Sequence, residues 1–199
     1  RLPDIEKLPA ITPHRVSEDM KEGYTPYKRD EETCVRYWAV PGQEGFQHIL
    51  GGLEKDGATG AISTDPDNHD RMVRLRQRKV ELIPVPDLEV LGDTDDAELL
   101  IVGFGSTYGH LYSAMEELRK EGRKVAMAQF SFINPLPKNT AEVLRRYKKV
   151  VVAEQNLGQL AAYLRTKVSD VNLMQYNEVK GQPFTTASLA DAFRALLDE

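Results

Sequence analysis

Cysteine is nearly absent from this chain of 199 residues, which contains one, Cys34. A single thiol cannot form an internal disulfide, and it cannot by itself hold an iron–sulfur cluster or a structural zinc ion. The scarcity fits a reducing, cytoplasmic setting. The sequence therefore excludes a disulfide-stabilised scaffold and, within this chain, a cysteine-ligated metal centre.

Long apolar runs and a strong excess of either charge are also missing. No apolar run reaches the length of a membrane span, and nothing at the start is typical of a signal peptide. The formal net charge of -5 gives no reason to expect nucleic acid or an anionic membrane as the main partner. The basic run from Arg71 to Lys79 is interleaved with apolar residues. A helix face that is solvated or docked on an acidic neighbour is favoured there over a phosphate-binding role.

Residues 1–84 lack a sustained hydrophobic period because prolines and glycines interrupt it repeatedly. Short strands are expected at Val35–Val40 and Ile49–Leu50. One helix is expected to start after Asp65, which can cap it, and to end near Leu82. So much loop predicts that residues 1–84 are a connecting segment packed on neighbouring domains.

The start of the chain also points to a larger assembly. It begins with Arg1 rather than Met, and residues 2–9 are typical of a linker, so we expect a piece of a longer polypeptide. Aromatic side chains that can supply contact surface are frequent in this first part: Tyr24, Tyr27, Tyr37, Trp38 and Phe46. We expect this part to be stabilised by docking on a second copy or a partner subunit.

Residues 85–199 show a different pattern, in which strands and helices alternate. Strands are expected near Glu98–Val102, Lys124–Phe130, Lys149–Ala153 and Val171–Tyr176. Helices are expected near Tyr108–Glu121, Asn139–Tyr147, Leu157–Lys167 and Ala187–Leu197, with Asn139, Asn156 and Thr185 or Thr186 as N-caps. Buried apolar strands joined by amphipathic helices predict an α/β domain with a doubly wound, mostly parallel sheet covered on both faces.

Three polar segments follow strands of this predicted sheet. Gly103–Gly109 follows the run Leu99–Val102, Asn134-Pro135-Leu136-Pro137 comes after the second strand, and Glu154–Leu160 follows the run Val150–Ala153. Ligands and partner surfaces meet open α/β sheets at the carboxyl ends of their strands. These segments are therefore the candidate functional loops.

In this order the three segments resemble the C-terminal part of the alpha subunit of 2-oxoacid:ferredoxin oxidoreductases, most closely the 2-oxoglutarate-type enzymes. The resemblance extends upstream into Gly51–Gly60 and Asp65–Arg76. It implies a transketolase C-terminal-type domain in which an edge strand can run antiparallel. It also implies a parent enzyme that decarboxylates a 2-oxoacid on thiamine diphosphate and Mg²⁺, reduces ferredoxin through iron–sulfur clusters, and releases acyl-coenzyme A.

Within that enzyme the resemblance implies a structural and interface role for this piece, with the beta subunit as partner and a homo-oligomer as an alternative. The sequence contains no Gly-Asp-Gly followed by Asn-Asn, the diphosphate–magnesium motif of thiamine enzymes. We therefore expect no catalytic residue and no bound cofactor or metal in this chain alone. Which 2-oxoacid the parent uses, and whether coenzyme A touches this domain, stay open.

The candidate residues at the strand ends are polar or glycine: Gly105, Ser106, Thr107, Asn134, Glu154, Asn156 and Gln159. Ser106 and Thr107 are expected to cap a helix or touch a small anion. Asn156 is expected to cap the next helix, and Glu154 to bind backbone amides or a neighbouring domain. A dinucleotide site at the glycine turn is disfavoured because the next strand ends without the acidic residue that binds ribose.

Three other assignments are disfavoured by the sequence: a metal site, a domain of another thiamine enzyme, and a free-standing binding domain. Asp65-x-Asp67-x-His69 has the ligand types of a metal site, but it lacks a calcium-loop pattern, and Pro66 favours a capped helix start instead. The domain as a whole could come from another thiamine enzyme, such as a transketolase or the beta subunit of a 2-oxoacid dehydrogenase. It could also be a free-standing α/β domain that binds a small molecule. The upstream Gly51–Arg76 segment disfavours the former, and the loop-rich first part disfavours the latter.

Overall fold

The computed structural model describes residues 4–8 and 10–199. They form two compact units, the first ending at Pro84 and the second running over Val85–Glu199. Part of the predicted linker, residues 2, 3 and 9, and the chain start at Arg1 lie outside the described residues. No helix in the described ranges is long and apolar enough to cross a membrane.

The first unit consists of loops and turns around one helix, α1, Pro66–Glu81. Asp65 caps this helix as predicted, because its side chain accepts a hydrogen bond from the backbone N–H of Asn68 at 2.7 Å. Asn68 is buried, and its amide donates to the Lys55 carbonyl at 3.0 Å and accepts from the Gly57 N–H at 3.2 Å. The first turn of α1 therefore fixes the loop that precedes it.

The short strands predicted in the first unit do not form among its described residues. Val35–Val40 makes isolated bridges instead, with Arg36 opposite Arg29 and Trp38 opposite Arg15, and Ile49–Leu50 is exposed loop. The aromatic and β-branched residues have the right propensity. However, each bridge has a partner of one residue, and a strand needs a longer extended neighbour to build a ladder.

The second unit contains a five-stranded sheet in the order β1-β3-β2-β4-β5. Its strands are β1, Val90–Gly92; β2, Leu99–Phe104; β3, Val125–Phe130; β4, Lys149–Glu154; and β5, Leu173–Asn177. The edge strand β1 pairs antiparallel with β3, and all other pairs are parallel. This confirms the mostly parallel sheet and its antiparallel edge strand.

Four helices cover this sheet: α2, Tyr108–Lys120; α3, Thr140–Arg146; α4, Gln159–Lys167; and α5, Thr186–Asp198. Alternate strand residues enter two separate cores. One core contains Leu100 and Val102 with side chains of α3 and α4, and the other contains Leu99 and Ile101 with side chains of α2 and α5. Helices therefore lie on both faces, as a doubly wound fold requires.

Strands β2 and β4 lie side by side at the point where the chain changes direction across the sheet. From β2 the chain crosses through α2 to β3 on one side, and from β4 it crosses through α4 to β5 on the other. The loops after β2 and β4 consequently lead to opposite faces. Such a topological switch point leaves a crevice at the carboxyl ends of the strands, where ligands and partners bind in folds of this type.

Candidate functional site at the carboxyl edge of the sheet

We call the loops that follow β2, β3, β4 and β5 the carboxyl edge; they span residues 105–107, 131–139, 155–158 and 178–185. The loops after β2 and β4 flank the switch point. All predicted candidate residues lie in these loops, at the strand end Glu154 or at the first position of α4. The parallel strands therefore bring them to one edge.

The end of β2 is closely packed, and the turn that follows it contains a glycine with a left-handed backbone. Gly105 has φ 64°, a conformation that favours glycine. A Cβ at Gly103 would collide with the side chains of Leu111, Gln129 and Thr107. The Gln129 side chain donates to the Gly105 carbonyl at 2.9 Å. Gln129 stands where a dinucleotide site would need an acid, and here it ties the glycine turn to β3.

Thr107 and Ser106 differ from what was expected of them. Thr107 occupies the N-cap position of α2, but its side chain makes no capping hydrogen bond. Its hydroxyl is buried and donates backwards to the Phe104 carbonyl at 3.0 Å, which closes the turn. The helix-capping expectation for Thr107 is therefore wrong, because the carbonyl at the strand end is the nearer partner. Ser106 is exposed at the tip of the loop.

Glu154 is the central residue of the loop after β4. The side chain is buried, with 5% of the residue exposed, and one carboxylate oxygen accepts from the Leu160 N–H at 2.7 Å and the other from the Ala161 N–H at 3.0 Å. These amides belong to the first turn of α4, where N–H groups lack partners within the helix and a negative charge is favourable. The expectation that Glu154 binds backbone amides is confirmed, and both oxygens are occupied.

Asn156 supports the same helix from outside it. The helix α4 begins at Gln159 with Gly158 at the N-cap position, so Asn156 is not the N-cap residue that was predicted. Its side-chain oxygen accepts from the N–H groups of Gly158 and Gln159, at 2.8 and 2.9 Å. Gly158 has φ 91°, and this left-handed residue delays the helix by two positions. Gln159 is exposed.

The loop after β3 is fixed by a contact that the sequence did not predict. Asn139 stands at the N-cap position of α3 without capping it. Its amide instead accepts from the Leu88 N–H at 2.8 Å and donates to the Leu88 carbonyl at 3.1 Å. The predicted capping role is wrong because the backbone of Leu88, which no local pattern brings near, satisfies both ends of the amide. Asn134 is exposed and precedes a cis peptide bond to Pro135.

Besides its polar residues, the carboxyl edge carries exposed apolar side chains. Among residues 85–199, all of which the structure describes, the exposed large apolar side chains lie in the loops after strands, at the ends of β2 and in the first turns of α2: Phe104, Tyr108, Tyr112, Phe132, Leu157 and Val179. Leu157 is 85% exposed, and the rings of Tyr108 and Tyr112 stack with centroids 5.9 Å apart. Apolar patches of this kind mark contact surfaces.

Sequence reasoning missed these apolar residues because it searched the loops for polar chemistry. A signal was present, since an apolar residue two or three positions after the end of a buried strand, inside a polar loop, is not needed to complete the strand. Phe132 and Leu157 are such residues. Aromatic and aliphatic side chains with few charges are typical of the centre of a protein interface.

The described residues contain no group of three or more His, Cys, Asp or Glu side chains placed to hold a metal ion. At the disfavoured metal motif, Asp65 caps α1 and His69 Nδ1 lies 3.0 Å from a carboxylate oxygen of Glu54. Glu54 also accepts from Arg76 at 3.0 Å. The polar side chains of this region are therefore engaged in local contacts.

The second unit is an α/β domain with a mostly parallel sheet and exposed apolar side chains at its carboxyl edge. Residues 97–189 match the family described as pyruvate:ferredoxin oxidoreductase core domain II. The chain is 48% identical over 197 residues to the 2-oxoglutarate oxidoreductase subunit KorA of Mycobacterium tuberculosis, covering 99% of this chain and 30% of that subunit. It is 34% identical over 156 residues to the 2-oxoacid:ferredoxin oxidoreductase 2 alpha subunit of Aeropyrum pernix, covering 75% of this chain and 24% of that subunit.

A solved structure gives the same result. The 2-oxoglutarate:ferredoxin oxidoreductase of Magnetococcus marinus, with 2-oxoglutarate, coenzyme A and succinyl-CoA bound, superposes with a TM-score of 0.86 at 28% identity, over 98% of this chain and 34% of that chain. The chain belongs to the family of 2-oxoacid:ferredoxin oxidoreductase alpha subunits, over the part of the subunit that it spans. That part is about a third or less of the relatives it matches.

Proposed function

We propose that this chain is a structural and interface part of the alpha subunit of a 2-oxoglutarate:ferredoxin oxidoreductase. The parent enzyme would oxidatively decarboxylate a 2-oxoacid to acyl-CoA and reduce ferredoxin. The relatives named for 2-oxoglutarate support this substrate over pyruvate or branched 2-oxoacids. The observation that carries the interface role is the collection of exposed apolar side chains at the carboxyl edge.

The residues present do not fit the cofactors of the parent enzyme. Each oxygen of Glu154 accepts a hydrogen bond from a backbone amide of α4, so this carboxylate is engaged in holding the start of that helix. Cys34 is the single cysteine and is buried, whereas an iron–sulfur cluster requires several thiolates. Thiamine diphosphate, Mg²⁺ and the iron–sulfur cluster therefore belong to other parts of the complex, with ferredoxin and coenzyme A acting through the whole assembly.

The beta subunit is the partner we propose for the carboxyl edge, with a second copy of this chain as the alternative. The first unit, taken by itself, also exposes large apolar side chains on loops: Trp38, Ile49, Leu50, Leu53 and Ile62. These loops have little regular structure to stabilise them, which supports a connecting segment packed on neighbouring domains. The single cysteine supports a reducing, cytoplasmic setting for the complex.

The test is association with the beta subunit of the same enzyme, measured by calorimetric titration of one separately purified protein with the other. The double variant Phe132→Ser with Leu157→Ser should weaken association by about tenfold or more, since large apolar residues at the centre of an interface carry much of its energy. Because both side chains are exposed, the melting temperature of the isolated chain should stay close to that of the wild type.

Lys124→Ser is the matched control, because Lys124 is exposed at the opposite edge of the same sheet. It should change association by less than about twofold, as expected for a charge outside an interface. Equal affinities for the wild type and the double variant would overturn the interface role. A double variant that keeps its beta subunit but no longer self-associates would assign the edge to a second copy.

A further inference from the structure

The first unit contains an open cleft, which we call the cavity, that the proposed function does not use. Its volume is about 440 Å³, within the range of about 300–1,000 Å³ that small-molecule sites occupy. Helix α1 lines one side with Arg71, Met72 and Arg78, and the turn that contains Arg29 and Cys34 lines the other. The wall therefore combines apolar groups with several guanidinium groups.

The turn places two arginines opposite each other. Arg29 and Arg36 form an antiparallel bridge, held by the hydrogen bond that the Asp30 N–H donates to the Val35 carbonyl at 2.8 Å. Like charges directly opposite each other on paired strands repel and are destabilising. The Arg36 guanidinium lies 4.6 Å from the centre of the Tyr27 ring, a cation–π contact that brings no negative charge beside it.

Arg29 is also short of partners. Its NH1 donates to the Cys34 carbonyl at 3.0 Å, while its Nε is buried without an acceptor among the described residues. The pKa of Arg29 is lowered, first by burial and then by the positive charges of Arg36 and Arg76. A buried guanidinium N–H without an acceptor is unfavourable, and an anion beside it would relieve both the missing hydrogen bond and the repulsion.

Among the described residues, the two acidic residues that line the cavity form no ion pair with Arg29, Arg36 or Arg78. Asp30 lines the cavity, but one of its oxygens is bound by the N–H and hydroxyl of Thr33, each at 2.8 Å. Glu31, the other acidic lining residue, is exposed. Among the residues that the structure describes, ion pairs form at Arg71, Arg74 and Arg76 and at none of Arg29, Arg36 and Arg78.

We propose that this cavity binds a multiply charged oxyanion, namely the phosphate group of a small phosphate ester or diphosphate. Arg29 and Arg78 line the cavity and supply guanidinium donors, whose planar geometry matches phosphate oxygens, and Arg36 adds positive charge beside Arg29. The apolar part of the wall, at Met72 and Leu75, accommodates the remainder of the ligand. The sequence predicted that the basic face of α1 meets solvent or an acidic neighbour. In this proposal, Arg78 on that helix binds a small anion instead.

Calorimetric titration of the purified protein with inorganic phosphate and with pyrophosphate, at constant ionic strength set with NaCl, tests the proposal. Pyrophosphate should bind more tightly than phosphate because it offers more charge. Arg78→Gln should weaken pyrophosphate binding by about tenfold or more. Arg78 is exposed, so this variant should fold normally, whereas Arg29→Gln removes the hydrogen bond to Cys34 and is informative only if its melting temperature is unchanged.

Arg74→Gln is the matched control, because Arg74 lies on the same helix, is exposed, pairs with Asp70 at 2.7 Å and does not line the cavity. It should keep affinity within about twofold of the wild type. Equal losses in Arg74→Gln and Arg78→Gln would overturn the proposal by showing attraction to net charge alone. Absence of pyrophosphate binding at millimolar concentration would overturn it as well. The beta-subunit titration does not involve these arginines, so the two proposals can fail independently.

Discussion

The two edges of the sheet in the second unit have opposite surfaces. At the amino edge, formed by the segments that lead into the parallel strands, charged side chains are paired with one another. Arg119 binds Asp93 at 3.0 Å, Lys124 binds Asp96 at 3.0 Å, and Arg145 binds Asp170 at 2.7 Å. At the carboxyl edge, large apolar side chains such as Phe132 and Leu157 are exposed beside polar ones. One edge is therefore suited to water and the other to protein.

Energetics favour the carboxyl edge as the docking surface that we propose. Ion pairs at an exposed edge contribute about 0–1 kcal/mol each, and they lose hydration if another surface covers them. Apolar surface gains about 25 cal/mol for each Å² removed from water. Covering the carboxyl edge buries apolar side chains at the cost of one exposed ion pair, Lys180 with Glu178, and its buried carboxylate, Glu154, already accepts a hydrogen bond at each oxygen.

The largest effect on the carboxyl edge is expected at Glu154, which fixes the loop after β4 to the first turn of α4. Glu154→Ala leaves the N–H groups of Leu160 and Ala161 without their acceptor inside a buried site, and should cost about 3 kcal/mol. Urea denaturation at pH 7 measures this loss. Asn156→Ala, in the same loop but less buried, should cost about 1 kcal/mol. If the two variants were equally stable, Glu154 would not be what holds the start of α4.

A smaller loss of stability is expected at two glycines, Gly103 in β2 and Gly105 in the turn after it. Comparing them distinguishes close packing from backbone strain. Gly103→Ala forces a methyl group against Leu111, Gln129 and Thr107, and should cost about 2 kcal/mol. Gly105→Ala meets nothing within 4 Å but must adopt φ 64°, and should cost about 1 kcal/mol. Thermal denaturation of both variants decides between them. The reverse order would mean that the strained turn, and not close packing, determines which residues this loop accepts.

Much of the second unit could be predicted because its strands are continuous apolar runs and its helices have a clear period. The strands β2, β3, β4 and β5 lie where the runs predicted them, within a few residues. The strand β1 was missed because Val90–Gly92 is short and only half-buried. Its extended state comes from pairing Val90 with Ala128, a contact between distant residues that no local pattern contains.

The site was predictable to the extent that local chemistry determines it. Glu154 follows a buried strand and precedes a helix, so its contact with backbone amides follows from sequence position. The pairing of Asn139 with Leu88 does not, since 51 residues separate them. The loss of the strands expected in the first unit has the same cause, because the partners of Arg36 and Trp38 are single residues set by tertiary contacts.

The smallest expected effect is at the amino edge, where the stability that Asp93 contributes should depend on pH. Asp93 accepts hydrogen bonds from the Arg119 side chain at 3.0 Å and from the Val125 N–H at 3.3 Å, and the Arg119 contact is the main cause that lowers the pKa of Asp93. A lowered folded-state pKa gives stability that is present above the unfolded value of about 3.9 and is lost as pH falls through the folded value. Asp93→Asn should therefore cost about 0.5–1 kcal/mol at pH 7 and nothing at low pH, where the two stability curves meet. Urea midpoints between pH 3 and 7 at low salt measure this convergence.

Asp95→Asn is the control, since Asp95 is an exposed neighbour that forms no ion pair among residues 85–199, and its curve should run parallel to that of the wild type. If Asp93→Asn also ran parallel, the amino edge would owe its stability to packing, and the contrast between a charge-paired edge and an apolar edge would be one of appearance only.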